Sequence, residues 1–347
     1  MKMNRLGRTD VMVSELCLGS MTWGSQNNLD EAHEQIVRAL DAGINFIDTA
    51  EMYPVTPILA ETVGRTERII GQWFERGGRR EDFIVATKHS GAGFRHTRGG
   101  APITGQSIPE VIEGNLRRLN TDYIDLYQLH WPNRGSYAFR QNWTFDATDQ
   151  DHAETIANME EVIDALEAER KRGTIRHFGL SNESAWGLAQ WVRIAEARGG
   201  PRAVSVQNEY SLLCRLFDTD MAELAHHEDV GLLAYSPLAT GLLTGKYQNG
   251  AVPEGSRKAI GPDLGGRNVP RAYEAVALYL GIAAKHGLDP VQMAIAWAAA
   301  RPFMTSVIFG ATSIPQLDRI LGASGLSLSE EVLNDIDAAH RACPMPY

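Results

Sequence analysis

Four side chains of complementary acidity stand at the ends of apolar runs. The stretch GINFIDTAEMY, from Gly43 to Tyr53, is expected to be a short buried strand closed by Asp48, followed by a loop carrying Tyr53. In an extended chain Ile44, Phe46 and Asp48 share one face, and Asn45 and Ile47 the other. The run DFIVATK, Asp82 to Lys88, ends in Lys88, and YIDLYQLH, Tyr123 to His130, ends in His130. An acid, a phenol, an ammonium and an imidazole delivered by successive strand ends point to a site at the carboxyl mouth of a parallel barrel.

Together these groups suit one kind of step. A phenol has a pKa of about 10 and gives up its proton reluctantly near neutrality. A nearby ammonium favours the phenolate and pulls that value down. A carboxylate paired with the ammonium keeps it charged, and a histidine beside the phenol can bond the same substrate oxygen. The set suits donating a proton to an oxygen that gains negative charge, as in carbonyl reduction. None of the four can supply a hydride, so a nicotinamide cofactor is required. A lyase using Lys88 as a Schiff base is a competing reading, but Asp48 would tend to keep that amine charged.

These residues need a scaffold of alternating strands and helices. Strands are expected at Leu16–Gly19, Ile44–Asp48, Asp82–Lys88, Tyr123–His130, Ile175–Leu180, Ala203–Gln207, Gly231–Tyr235 and Ser306–Phe309. Helical spacing fills the gaps at Asp30–Ala42, Thr66–Phe74, Pro109–Leu119, Ala153–Arg172, Ser184–Ala197 and Asp218–His227, with Asp30 as the cap of the first. Met3 to Leu16 reads as a hairpin bent at Gly7 that closes the bottom of the barrel. The pattern predicts an α/β fold, a (β/α)8 barrel with an N-terminal hairpin, and one domain over residues 1–347.

Long loops break the rhythm at Ser90–Ser107, Asn133–Asp151 and Lys246–Arg271, and a final helix with an irregular end runs from Ser329 to Tyr347. Loops of such length in a compact domain are usually functional or disordered. The second carries Tyr137, Phe139, Trp143 and Phe145 just after Trp131, which suits a pocket wall. Trp23, Tyr53, His130, Trp131 and Trp143 are the expected substrate contacts.

Of the 347 residues 44% are hydrophobic, and the net charge is −10 with no basic tract, which argues against nucleic acid or an acidic membrane as partner. The longest uncharged runs, Val230–Gly245 and Pro302–Leu317, are broken by proline and glycine and too short to cross a bilayer. Cys17, Cys214 and Cys343 have no metal-binding spacing and cannot all pair, so a reduced, cytoplasmic setting is expected. No metal is expected; the expected partner is a small carbonyl compound, and nothing in the sequence fixes the oligomeric state.

No GxGxxG follows an early strand, which argues against a Rossmann site. Two late loops can hold phosphates instead. One is Tyr235-Ser236-Pro237-Leu238-Ala239-Thr240-Gly241, with Lys246 shortly after. The other is Gly310-Ala311-Thr312-Ser313, which opens a helix whose free N–H groups favour an anion.

The motifs FIDTAEMY, ATK, LHWP, GLSN, VQNEY, AYSPLATGLLTGKY and FGATS occur in the order found in aldo-keto reductases. The chain resembles that family over essentially its whole length, and most of all its bacterial Tas-type members. The resemblance implies NADPH bound in extended form and Tyr53 as general acid, assisted by Asp48, Lys88 and His130. It implies that Ser181, Asn182 and Gln207 hold the nicotinamide carboxamide and that Tyr235 stacks on the ring. It assigns Ser236, Leu238, Gly241, Lys246 and Arg257 to the phosphates, with Pro237 and Ala239 in the same loop, and Gly310, Thr312 and Gln316 to the adenosine end. One departure is plain: Arg319-Ile320 stands where many members carry Glu-Asn. Arg319 is then a candidate to stack on adenine or to reach the 2′-phosphate. The resemblance also admits a nucleotide-sensing binding subunit with little turnover, like the channel-associated members.

Overall fold

The computed structural model describes residues 1–347. Eight parallel strands close into a barrel: Leu16–Gly19, Phe46–Asp48, Ile84–His89, Ile124–Leu129, Ile175–Ser181, Ala203–Glu209, Gly231–Tyr235 and Met304–Phe309, the last pairing with the first. This is a (β/α)8 barrel. A two-stranded antiparallel hairpin, Met3–Arg5 with Met12–Ser14, precedes it.

The hairpin closes the amino-terminal end of the barrel. Leu6 and Val13 pack with Cys17, Phe46, Ala86, Leu126, Val204, Leu233 and Ile308 in a small apolar cluster inside it. Gly7 has a positive φ, and a Cβ there would fall 2.6 Å from the Val204 carbonyl oxygen, so only glycine lets the hairpin lie this close. The larger apolar cluster lies between the strands and the surrounding helices and includes Leu18, Ile47, Val85, Tyr127 and Val206.

Strand periodicity links this floor to the site. Side chains repeat every second residue on one face, so the inward residues Phe46, Ala86 and Leu126 are followed by Asp48, Lys88 and Gln128. Each strand therefore carries an apolar residue at the floor and a polar one toward the carboxyl mouth. Asp48 lies opposite Ala86, whereas Lys88 lies opposite Gln128. Lys88 thus stands one inward step nearer the mouth than the neighbour of Asp48, and its long side chain reaches back.

Three local expectations are corrected. Asn28, not Asp30, caps the first helix (Leu29–Asp41): it forms a capping box with Glu31, and Asp30 stays in the first turn, where an acid favours the helix dipole. The second strand begins at Phe46, and Ile44 joins the outer cluster with Ile47 instead of sharing the face of Asp48. Asp82 ends a short 3-10 turn, and the third strand starts at Ile84. Between the seventh and eighth strands two helices, Pro270–Lys285 and Pro290–Ala299, both begin with proline at the first helical position, where its missing N–H costs nothing. The chain ends with the helix Glu330–Ala342, capped by Ser329, and an irregular tail. No helix is long and apolar enough to cross a membrane.

Candidate active site

The second strand ends in a fixed carboxylate. Ser20 donates from Oγ to the Asp48 carbonyl at 2.7 Å, and the Thr49 amide donates to the Ala86 carbonyl at 2.9 Å, so backbone bonds clamp the strand end. Asp48 is buried. Its Oδ2 accepts from Lys88 Nζ at 2.5 Å, and its Oδ1 accepts from Gln207 Nε2 at 2.9 Å and Gln128 Nε2 at 3.2 Å. Lys88 is fully buried and also donates to the Thr49 carbonyl at 2.8 Å and to the Tyr53 hydroxyl at 3.4 Å. The structure thus brings Asp48, Lys88 and Tyr53 into one chain of contacts. His130 joins it with its ring edge-on to Tyr53, centroids 5.8 Å apart.

The electrostatics follow from burial. Burial alone would lower the Lys88 ammonium, but the Asp48 carboxylate and the Tyr53 phenol outweigh it, so its pKa is raised and the amine stays charged. That tells against a Schiff-base role. Burial, reinforced by the Lys88 charge, holds His130 well below the usual histidine range, and its buried Nδ1 has no partner. The imidazole is neutral at pH 7. For Tyr53 one expectation is corrected. Lys88 pulls the phenol down as foreseen, but burial pushes it up more strongly and Asp48 adds to the rise, so the net shift is upward.

The polar residues of the fifth and sixth strand ends form a second cluster that joins the first. Ser181 donates from Oγ to the Gln207 carbonyl at 2.9 Å, and Asn182 donates from Nδ2 to the His130 carbonyl at 2.9 Å. Tyr235, at the end of the seventh strand, donates from its hydroxyl to Asn182 Oδ1 at 2.7 Å. Asn182 has φ +54°, a left-handed conformation that asparagine tolerates better than most residues. Gln207 belongs to both clusters, because its amide also grips Asp48.

Beyond Tyr235 the chain makes a tight loop in which Ser236, Ala239, Thr240 and Gly241 all have positive φ. A Cβ on Gly241 would sit 3.0 Å from Cε of Lys246, so the lysine lies directly over this glycine. Pro237 is buried, and Leu238 is half-buried. Arg257, in the short helix Arg257–Ile260, is half-buried. Burial and the neighbouring Arg267 and Arg140 guanidinium groups lower its pKa, and no carboxylate is among the groups acting on it. A half-buried cation without a counter-charge is what a bound diphosphate would neutralise. These residues therefore fit a dinucleotide with its phosphates at this loop.

At the end of the eighth strand, which pairs with the seventh, Gly310 and Ala311 lead to Thr312, whose N–H and hydroxyl both lie 3.1 Å from Gln316 Oε1. Arg319, in the helix Ile314–Leu321, donates from Nε to Asp289 at 2.8 Å, so its charge already has a partner.

The expected substrate residues divide. Trp131 packs against His130, centroids 4.9 Å apart, and against Phe94 and Phe139 at 6.5 and 6.1 Å. Trp23 is fully buried, and its indole N–H donates to Gln35 at 3.1 Å. Trp143 is 67% exposed and flanks a groove with Phe139, Arg140, Asp263 and Tyr347. A separate hollow, lined among others by Tyr137, Phe139, Phe217 and Tyr347, borders Asn182 and Tyr235 but neither Tyr53 nor His130.

Sequence reasoning missed Gln128, although it is the inward neighbour of Leu126 on the strand that leads to His130; strict two-residue counting finds it. It also missed the part-buried ion pair Arg98–Glu51 and the half-buried Glu209, which Arg140 and Arg267 both contact. Partners far apart in the chain leave no local signal.

The fold and the cluster at its carboxyl mouth define a (β/α)8 barrel, and the family match below makes it an oxidoreductase. The Aldo/keto reductase family model matches residues 15–341, and the chain belongs to that family. It is 41% identical to Protein tas of Escherichia coli (strain K12) over 100% of this chain and 99% of the relative. It is 33% identical to the uncharacterized oxidoreductase YrpG of Bacillus subtilis (strain 168), covering 97% and 96% of the two chains. It is 32% identical to a probable voltage-gated potassium channel subunit beta of Oryza sativa subsp. japonica, covering 99% and 98%.

Proposed function

We propose that this chain, as one domain over residues 1–347, is an NADPH-dependent reductase that converts an aldehyde or ketone to an alcohol, with Tyr53 as the general acid. The observation that carries the reading is the contact chain Asp48–Lys88–Tyr53, with neutral His130 edge-on to the phenol.

Bound NADPH would supply the hydride to the carbonyl carbon. The chain's own residues deal with the oxygen. As that oxygen gains negative charge, Tyr53 gives it the hydroxyl proton. The Lys88 ammonium, 3.4 Å away, stabilises the phenolate that remains. Asp48 keeps the ammonium charged and in place, and is itself held by Gln128 and Gln207. His130 sets a neutral imidazole beside the phenol, and Trp131 walls the same side. The upward shift of the phenol keeps Tyr53 protonated over the neutral range, ready to donate.

Ser181, Asn182, Gln207 and Tyr235 would hold the nicotinamide. Ser236, Pro237, Leu238, Ala239, Gly241, Lys246 and Arg257 would hold the phosphates, with Gly310, Thr312, Gln316 and Arg319 toward the adenosine. The three cysteines are free and buried, which fits the reducing cytoplasm this reading assumes. A binding subunit with little turnover is the competing reading, carried by the likeness to the probable channel subunit. The two are separated by incubating the protein with a panel of aldehydes and ketones and following NADPH absorbance. Turnover well above the protein-free rate on at least one carbonyl is expected; tight NADPH binding without turnover on any would favour the subunit.

A further inference from the structure

Glu51 lies between Asp48 and Tyr53 but has no part in the proton transfer described above. Its side chain is nevertheless buried at the edge of the site. A carboxylate is kept out of water only when it is paired and hydrogen-bonded. Glu51 is fully provided for. Its Oε1 accepts from the Ser90 amide at 2.6 Å and from Arg98 Nη1 at 2.8 Å, and its Oε2 lies 2.7 Å from the same Nη1. Arg98 donates from Nη2 to the Ser90 carbonyl at 2.8 Å.

The contacts of the Glu51 carboxylate join the Tyr53 turn to the end of the third strand and the loop after it. The Glu51 amide donates to the Lys88 carbonyl at 3.1 Å, and the Tyr53 amide donates to the Ala50 carbonyl at 3.1 Å. The turn that carries Tyr53 is thus tied by backbone to the residue that carries the ammonium, and by the Glu51 side chain to Ser90 two residues further on. Arg98 then grips both sides of the joint. It does so with φ +45°, a conformation that a non-glycine residue keeps only where its surroundings enforce it. The loop that presents Arg98 also presents Phe94 to Trp131, and its Ala92 carbonyl accepts from the Trp131 indole at 3.0 Å. One ion pair therefore connects the proton donor with the loop beside Trp131.

We propose that Glu51 and Arg98 are a positioning pair that holds the Tyr53 turn against Lys88, so that order in the loop after the third strand sets how closely the phenol meets the ammonium. The proposal rests on the reading of Tyr53 as general acid.

Its test turns on a sign. The charged or titratable groups acting on the phenol are Lys88 from the third strand, Asp48 from the second, His130 after the fourth and Arg257 after the seventh. Removing a negative charge nearby would by itself favour the phenolate and lower the phenol pKa. Letting the phenol drift from Lys88 removes the ammonium's pull and raises it. In Glu51→Gln the positioning role and a purely electrostatic role therefore move Tyr53 in opposite directions. A role confined to packing moves it in neither.

The experiment labels tyrosine at the ring carbon bearing oxygen and follows Tyr53 by NMR against pH, with the resonance identified by its loss in Tyr53→Phe. The expected result is a raised Tyr53 pKa in Glu51→Gln. With it, kcat falls about ten- to a hundredfold, the scale of a displaced catalytic group, and NADPH affinity is unchanged. Arg98→Lys keeps the charge but loses the two-point grip, and should move both readouts the same way by less. It also carries the test if Glu51→Gln does not fold. An unchanged or lowered phenol pKa in the variant that folds overturns the proposal. Because titration is read without turnover, it stands apart from the general-acid assignment, which fails only if Tyr53→Phe keeps its activity.

Discussion

The Lys88 ammonium lies 2.5 Å from an oxygen of Asp48, with the lysine side chain wholly and the aspartate almost wholly out of solvent. A pair taken this far from water gains little net stability by existing but loses much when one partner is removed, because the other is left as an uncompensated buried charge. Lys88→Met and Asp48→Asn are each expected to lower stability by about 3–5 kcal/mol, the cost of breaking a buried pair. The double variant should lose clearly less than the sum, because it leaves no charge stranded. Urea unfolding of the four proteins measures this, and strictly additive losses would mean that the pair is not coupled.

Acid should weaken the fold through its buried histidines. Burial, with help from the Arg98 charge, holds His89 well below the ordinary value of 6.5, and its Nδ1 is bonded to the Tyr127 hydroxyl at 2.9 Å. In the unfolded chain the same imidazole takes a proton as the pH falls through 6.5; in the folded chain it does not. The unfolded state then binds more protons, so stability present above 6.5 is lost below it, by up to about 1.4 kcal/mol per pH unit for each such histidine. Melting temperatures should fall between pH 7 and 5, and His89→Gln should flatten that slope. A variant that keeps the full slope would place the acid sensitivity elsewhere.

Two arginines compete for the cofactor phosphates, and their surroundings rank them. Arg257 is half-buried with no carboxylate acting on it, whereas Arg319 is bound to Asp289. A lost charge-assisted hydrogen bond costs about 1.5–3 kcal/mol, on the order of ten- to a hundredfold in affinity. Arg257→Ala is expected to weaken NADPH by that much and Arg319→Ala by clearly less. Dissociation constants for NADPH and NADH give the answer: a loss at Arg319 confined to NADPH would show that Asp289 releases it to the 2′-phosphate.

Most of the strand and helix order could be read from periodicity, because each barrel strand is a short apolar run and each helix keeps its apolar stripe. The four strand-end groups were legible for the same reason: an ionisable residue that closes an apolar run stands out. Two kinds of information were not local. Net pKa direction depends on how deep a group lies, and the sequence shows the Lys88 charge beside Tyr53 but not the burial that outweighs it. Exposure of single aromatics was equally hidden. Trp23 and Trp143 look alike in sequence, yet one is sealed under Gln35 and the other stands 67% exposed, because helix packing covers the first and a surface loop carries the second. Gln207 was assigned to the cofactor alone, and its bond to Asp48 appears only when the second and sixth strands face each other across the barrel.

The central claim is that the Tyr53 hydroxyl delivers the proton. Tyr53→Phe removes that oxygen and keeps the ring, so packing against His130 and the fold are retained. General acid catalysis contributes roughly 10²–10⁴-fold, and kcat for carbonyl reduction should fall by that factor while the NADPH dissociation constant stays the same. The measurement is steady-state turnover of wild-type and Tyr53→Phe protein on the best carbonyl of the panel, with NADPH binding followed in parallel. Near-normal turnover in Tyr53→Phe would contradict the account at its base.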